Sequence, residues 1–133
     1  MKKLYTLLAL TISFNMNAQL TTVTESGNTG QRLSTSNAAN HGNIGSNSVD
    51  LSYSSSESST RGATGNYSVA TGWQTIASGN YSTAMGVSTT ASGTESTATG
   101  WQTTASGIGS TAMGEQTTAS GESSTAMGYQ STA

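Results

Sequence analysis

At 133 residues the chain is long enough for one small domain, but with 32% hydrophobic residues, one Phe and two Trp it cannot build a thick conventional core. It contains no cysteine, which excludes a disulfide framework and a lipid-attachment site. Four Lys/Arg against six Asp/Glu give a net charge of −2, the wrong sign for nucleic acid or an anionic membrane as partner.

The chain opens with Lys2 and Lys3, an apolar run from Leu4 to Phe14, then Asn15-Met16-Asn17 and the small residue Ala18. Charged, apolar and small-residue regions in that order predict a secretory signal peptide over residues 1–18, cut before Gln19. The apolar run is too short to span a bilayer of about 30 Å as a helix. The mature protein is therefore expected outside the cytoplasm, at the cell surface or outer membrane or in the medium. After cleavage only Arg32 and Arg61 oppose the six acids, so the exported chain is more acidic still.

Residues 19–62 are rich in Ser, Asn, Thr and Gly and keep no fixed period. One echo stands out: Gly45-Ser46-Asn47-Ser48-Val49 parallels Gly65-Asn66-Tyr67-Ser68-Val69 at an offset of 20. This predicts a degenerate coil at Asn47–Ser52, an insertion over Ser54–Arg61, and an irregular polar cap shielding the open strand edge at the start of a repeat array. For residues 20–40 a disordered leader fits as well. His41, the single histidine, has no cysteine or second histidine to complete a zinc site or a Cys-His pair, and reads as an exposed loop residue.

Residues 63–133 repeat every 14 residues, in five units of which the last is cut short, so the chain is expected to be a fragment of a longer protein. Gly65, Gly79, Gly93, Gly107 and Gly121 form one series, and Gly72, Gly86, Gly100, Gly114 and Gly128 a second. Between them Ser68, Ala70 and their equivalents return in phase, giving Ala-x-Gly-x-x-Ser-x-Ala-x-Gly and four variable residues. A linker of this composition need not hold phase, whereas a stacked repeat must. Fourteen residues are too few for two helices, and two interior glycines per unit oppose a helix. Two strands of about five residues joined by glycine turns fit, because glycine supplies the positive φ of a tight turn. The prediction is an all-β chain, each unit one coil of a parallel β-solenoid.

Strand alternation assigns the faces. Ser and Ala point into a narrow interior, while Val69, Thr83, Thr97, Thr111 and Thr125, with Thr71, Met85, Thr99, Met113 and Met127, share the other face. Two alanines per coil cannot offset the ordering of a whole unit, so this second face is expected to be buried against further copies of the chain. Trp73, Trp101 and Tyr129 recur every 28 residues, which puts an aromatic on every second coil, about 9.6 Å apart. Packing at the turn and an exposed row for recognition are both open readings of that series.

No phosphate loop, nucleophile elbow, dinucleotide fingerprint or calcium-binding repeat occurs. No catalytic, cofactor-binding or metal-binding residue is assigned, and neither a small-molecule substrate nor nucleic acid is expected as a partner. The runs Tyr67-Ser68-Val69-Ala70-Thr71-Gly72, Ser82-Thr83-Ala84-Met85-Gly86 and Ser124-Thr125-Ala126-Met127-Gly128, each followed after four residues by Ala or Ala-Ser-Gly, resemble the head repeats of YadA-type trimeric autotransporter adhesins. The resemblance implies a left-handed parallel β-roll, three chains side by side, and a surface module that binds host matrix protein, a glycan or another cell. Here Thr and Met replace most of the Val and Ile that it would place at the trimer contact. Similar repeats occur in tail-fibre-like proteins with a self-cleaving intramolecular chaperone, so a β-roll spacer is the alternative. An ice-binding solenoid is a further alternative, opposed by the single Thr-x-Thr pair, Thr97 and Thr99, on the Ser-x-Ala-x-Gly strand.

Overall fold

The computed structural model describes residues 20–133; the expected signal peptide and its cleavage site lie outside them. The repeats form a parallel β-solenoid. Its larger sheet has eight strands in the order β1-β2-β3-β5-β7-β9-β11-β13, and its smaller sheet five in the order β12-β10-β8-β6-β4. The coils alternate a five-residue strand with a two-residue strand: β5 (Val69–Trp73) with β6 (Ile76–Ala77), β7 (Thr83–Val87) with β8 (Thr90–Ala91), β9 (Thr97–Trp101) with β10 (Thr104–Ala105), β11 (Thr111–Glu115) with β12 (Thr118–Ala119), then β13 (Thr125–Tyr129). The expectation of two equal strands per coil is thus corrected, because both corners take more residues than a minimal turn.

Those corners explain the chain's punctuation. In one, Asn47, Tyr67, Tyr81, Glu95 and Ser123 have φ between 54° and 60°. In the other, Gln74, Ser88, Gln102, Gln116 and Gln130 have φ between 51° and 54°. The left-handed conformation lets each corner N–H donate to the coil before, as Tyr81 N does to Asn66 O and Gln116 N to Trp101 O, both at 2.8 Å, so the intercoil ladder runs on around the bend. Left-handed corners are therefore held mainly by ordinary residues, not by the repeated glycines.

The glycines answer a different need. Gly93 has no positive φ, yet a Cβ there would strike the carbonyl oxygen of Gly107 on the next coil. Gly100 stands inside strand β9, not in a turn, and combines φ +121° with the same collision against Gly114. Closeness of stacked backbones selects glycine at both.

The register is strictly that of the repeat: Thr83 pairs with Thr97, Ala84 with Ala98 and Gly86 with Gly100. Inside, Ala70, Ala77, Ala84, Ala91, Ala98, Ala105, Ala112 and Ala119 are fully buried, as are Ser68, Ser96 and Ser110. The residues just before the small strands add an inward column of Thr75, Thr89, Thr103 and Thr117, also fully buried, whose hydroxyls find no hydrogen-bond partner. The interior is as narrow as the Ser/Ala face predicts.

At the N-terminal end, β3 (Val49–Tyr53) pairs in parallel with β5, Val49 opposite Val69, and β4 (Gly62–Ala63) pairs with β6. Residues 20–33 are not irregular: β1 (Leu20–Glu25) and β2 (Asn28–Leu33) make an antiparallel hairpin, and β2 joins β3 through Gln31 and Arg32. Its two-residue turn is Ser26-Gly27, with φ 51° and 84°, a turn dipeptide after the Thr/Val-rich run Thr21–Thr24 that the sequence reading did not use. A 3-10 turn, Ala38–Asn40, is capped by Asn37, whose side chain accepts from Ala39 N at 3.1 Å. Among the described residues no helix is long and apolar enough to cross a membrane.

Candidate functional site

The long strands end at one edge of the solenoid, where pairing sets Tyr53, Trp73, Val87, Trp101, Glu115 and Tyr129 on consecutive rungs. Tyr53 is 60% exposed, Trp73 and Trp101 41% each, and Tyr129 64%. The series Trp73, Trp101, Tyr129 thus lies along one edge, and Tyr53 extends it by a rung. Sequence reasoning missed Tyr53 because it precedes the 14-residue period; carrying the offset-20 echo four residues further, Val49 to Tyr53 against Val69 to Trp73, would have found it.

Each column residue in the repeats is followed by a left-handed corner residue, and three of these are linked through their side chains. Gln116 Nε2 donates to Gln102 Oε1 at 3.2 Å, and Gln130 Nε2 to Gln116 Oε1 at 2.9 Å. The other corner carries a second aromatic feature: the exposed rings of Tyr67 and Tyr81 stack with centroids 5.2 Å apart and planes 6° from parallel. Beside them Asn66 N donates to Asn80 Oδ1 and Ser46 N to Asn66 Oδ1.

The outer face of the large sheet holds the residues assigned to a contact between chains. Val69, Thr83, Thr97 and Thr111, with Thr71, Thr99 and Met113, are half-buried; Met85, Thr125 and Met127 are exposed. The model of the YadA head domain repeat matches the chain twice, over residues 77–103 and 105–133. Residues 77–103 and 105–133 are each similar to that repeat. No curated protein matches the chain. The YadA repeats take in β7 to β13 with all their five-residue strands, and β3 and β5 continue the same sheet beyond them.

The end of the solenoid remote from the last YadA repeat holds a buried charge cluster that sequence reasoning did not assemble. His41 is not an exposed loop residue: its side chain is 1% exposed and its Nδ1 lies 3.0 Å from Asp50 Oδ2, without straight hydrogen-bond geometry. The 3-10 turn and the long 54–61 loop fold over it, Ser58 N donating to Ala39 O. Arg32 donates to Glu25 through Nη1 at 2.7 Å, to Gly42 O through Nη2 at 2.9 Å and to Asp50 Oδ2 through Nε at 3.4 Å. Asp50 Oδ1 accepts from Ser52 Oγ at 2.6 Å and Ser52 N at 3.0 Å. Burial by itself would raise the Asp50 carboxyl, but His41 and Ser52 together hold it below its ordinary 3.8. Gly62, at φ +90°, is required because a Cβ there would occupy the space of the Asp50 carboxylate.

A cavity of about 160 Å³ opens beside this cluster, lined by His41, Gly42, Asn43, Ser58 and Ser59. Among the described residues no group of three His, Cys, Asp or Glu side chains is placed to hold a metal ion. The cluster's visible work is mechanical. Arg32 ties β1, β2, β3 and the loop at Gly42 into one cap.

Proposed function

We propose that the chain is the head segment of a secreted or surface-displayed homotrimeric adhesive fibre, exported on removal of residues 1–18, which attaches its bearer to matrix protein, glycan or another cell surface. It works by presenting surface and not by catalysis. The YadA head repeats, marks of an adhesin-type surface module, support the reading. The observation that carries it is where the apolar groups lie: each repeat coil encloses only Ser, Ala, Thr and Gly, while Val69, Met85, Met113 and Met127 stand on the outer sheet face. Burying that face against two equivalent faces supplies the apolar contact that the coil interior lacks.

The test is the assembly state of the exported full chain by multi-angle light scattering. Wild type is expected as a trimer. Thr111→Asp, half-buried on the outer face, sets three like charges in one seam and is expected to abolish trimers, at a cost well above the ~0.5 kcal/mol of an ordinary surface change. Ser123→Asp, at an exposed corner, is expected to leave them intact. A monomeric wild type, or trimeric Thr111→Asp, refutes the proposed seam.

A further inference from the structure

We infer that the aromatic edge column, together with the glutamine ladder beside it, is a binding track for a linear, neutral, β-linked polysaccharide. This names a ligand class for the adhesive surface proposed above and so rests on that reading. Among the described residues the only stacked aromatic pair is Tyr67 with Tyr81, so the rings of Tyr53, Trp73, Trp101 and Tyr129 do not use one another's faces. An exposed indole presents a flat apolar surface with a polar N–H, suited to the C–H face and hydroxyl rim of a pyranose ring.

The spacing selects a particular chain geometry. Trp73 and Trp101 are two rungs apart, about 9.6 Å, with the smaller Val87 on the rung between them. In an extended β-linked chain successive rings are flipped, so the same ring face returns once per disaccharide, a length comparable to two rungs. Trp73, Trp101 and Tyr129, on alternate rungs, meet alternate sugars, while Tyr53 stands one rung from Trp73, outside that register. A coiling α-linked glucan does not keep that register along a straight edge.

The glutamines supply the polar half of the site. Each amide-to-amide hydrogen bond between Gln102, Gln116 and Gln130 uses one donor and one acceptor, leaving a second N–H and lone pair for hydroxyl groups. Backbone geometry does not explain the choice of residue. Both corners adopt the same left-handed φ, yet one carries Asn47, Tyr67, Tyr81, Glu95, Gly109 and Ser123, whereas the other keeps Gln in four of its five copies. Glycine or asparagine would sit there with less strain. Charge then narrows the ligand: no Lys, Arg or His follows Arg61, and Glu115 stands in the column, so a sulfated or sialylated polymer is repelled.

Trp73 and Trp101 are the only tryptophans, which makes intrinsic fluorescence a direct report on the track. The exported full chain is titrated with cellohexaose, an α-linked maltohexaose and heparin. Cellohexaose is expected to shift the emission, and the other two are not. By calorimetry, Trp101→Ala and Gln116→Ala are each expected to weaken cellohexaose binding by about tenfold or more, with Tyr67→Ala unchanged and the circular dichroism of all variants that of wild type. No response to cellohexaose, equal responses to maltohexaose or heparin, or full binding by folded Trp101→Ala overturns the inference. Attachment of cells displaying each variant to a protein-coated matrix is scored in parallel. Attachment that survives in Trp101→Ala while wild type ignores cellohexaose leaves the adhesive reading standing and sinks only the glycan track. Absence of attachment in every variant, with cellohexaose bound, refutes the adhesive reading instead.

Discussion

Alanine substitution at three glycines separates the two reasons a solenoid needs this residue. At Gly109, φ is +63° and an added Cβ meets only Ser123 Oγ at 3.7 Å. Equivalent corners already hold Tyr67, Tyr81, Glu95 and Ser123, so Gly109→Ala changes conformational preference alone. The left-handed cost of about 1–2 kcal/mol is largely offset by a less flexible unfolded chain, and the net change is expected to be below about 1 kcal/mol. At Gly93 there is no positive φ, but the Cβ would collide with the Gly107 carbonyl, a backbone atom that no rotamer change can move aside. Gly93→Ala is expected to destabilise by about 2–3 kcal/mol, the range for overpacking. Gly100→Ala meets both penalties, φ +121° and the Gly114 carbonyl, and is expected to lose about 3–5 kcal/mol. Urea unfolding of the full chain followed by far-ultraviolet circular dichroism gives the three values. The order Gly109 < Gly93 < Gly100 is the prediction. If Gly109→Ala costs as much as Gly93→Ala, close stacking of coils is not what selects glycine.

Thr103→Val removes a fully buried hydroxyl that has no partner while keeping the side chain's shape, and is expected to stabilise the protein by about 1 kcal/mol in the same assay; a loss of that size shows that the hydroxyl is bonded after all. Acid should loosen the cap first. Because the folded Asp50 carboxyl lies below 3.8, its stabilisation is complete above that pH and is lost as pH falls through the lower folded value, so melting temperature is expected to drop steeply below about pH 3.8. Asp50→Asn is expected to be less stable at neutral pH and to show a shallower acid limb; an unchanged limb assigns the acid sensitivity elsewhere.

Most of the solenoid was legible because its determinants are local and repeated. Ser68 and Ala70 return in phase with alternating partners, and alternation fixes which face is inward. The division of labour among glycines was not legible, since the clash that selects Gly93 lies between residues 14 apart in sequence and is visible only when coils are stacked. The cap was the least readable part. Arg32, His41 and Asp50 come from β2, the loop after the 3-10 turn and β3, and no spacing rule joins three isolated polar residues brought together by a long excursion of chain. The burial of His41 followed from that same excursion. For the aromatic edge, period gave three of the four residues, and the fourth was hidden by the break in period before Arg61.

The antiparallel run of β1 also sets a limit on growth. A stack of identical parallel coils is open to indefinite extension, one molecule continuing the sheet of another as in a fibril. At the N-terminal end, however, an incoming coil meets Leu20–Glu25 travelling the opposite way, so it can add there only as an antiparallel strand and not as a further parallel rung. The hairpin thus ends the parallel ladder, and Arg32, through Glu25 and Gly42, fastens that end down.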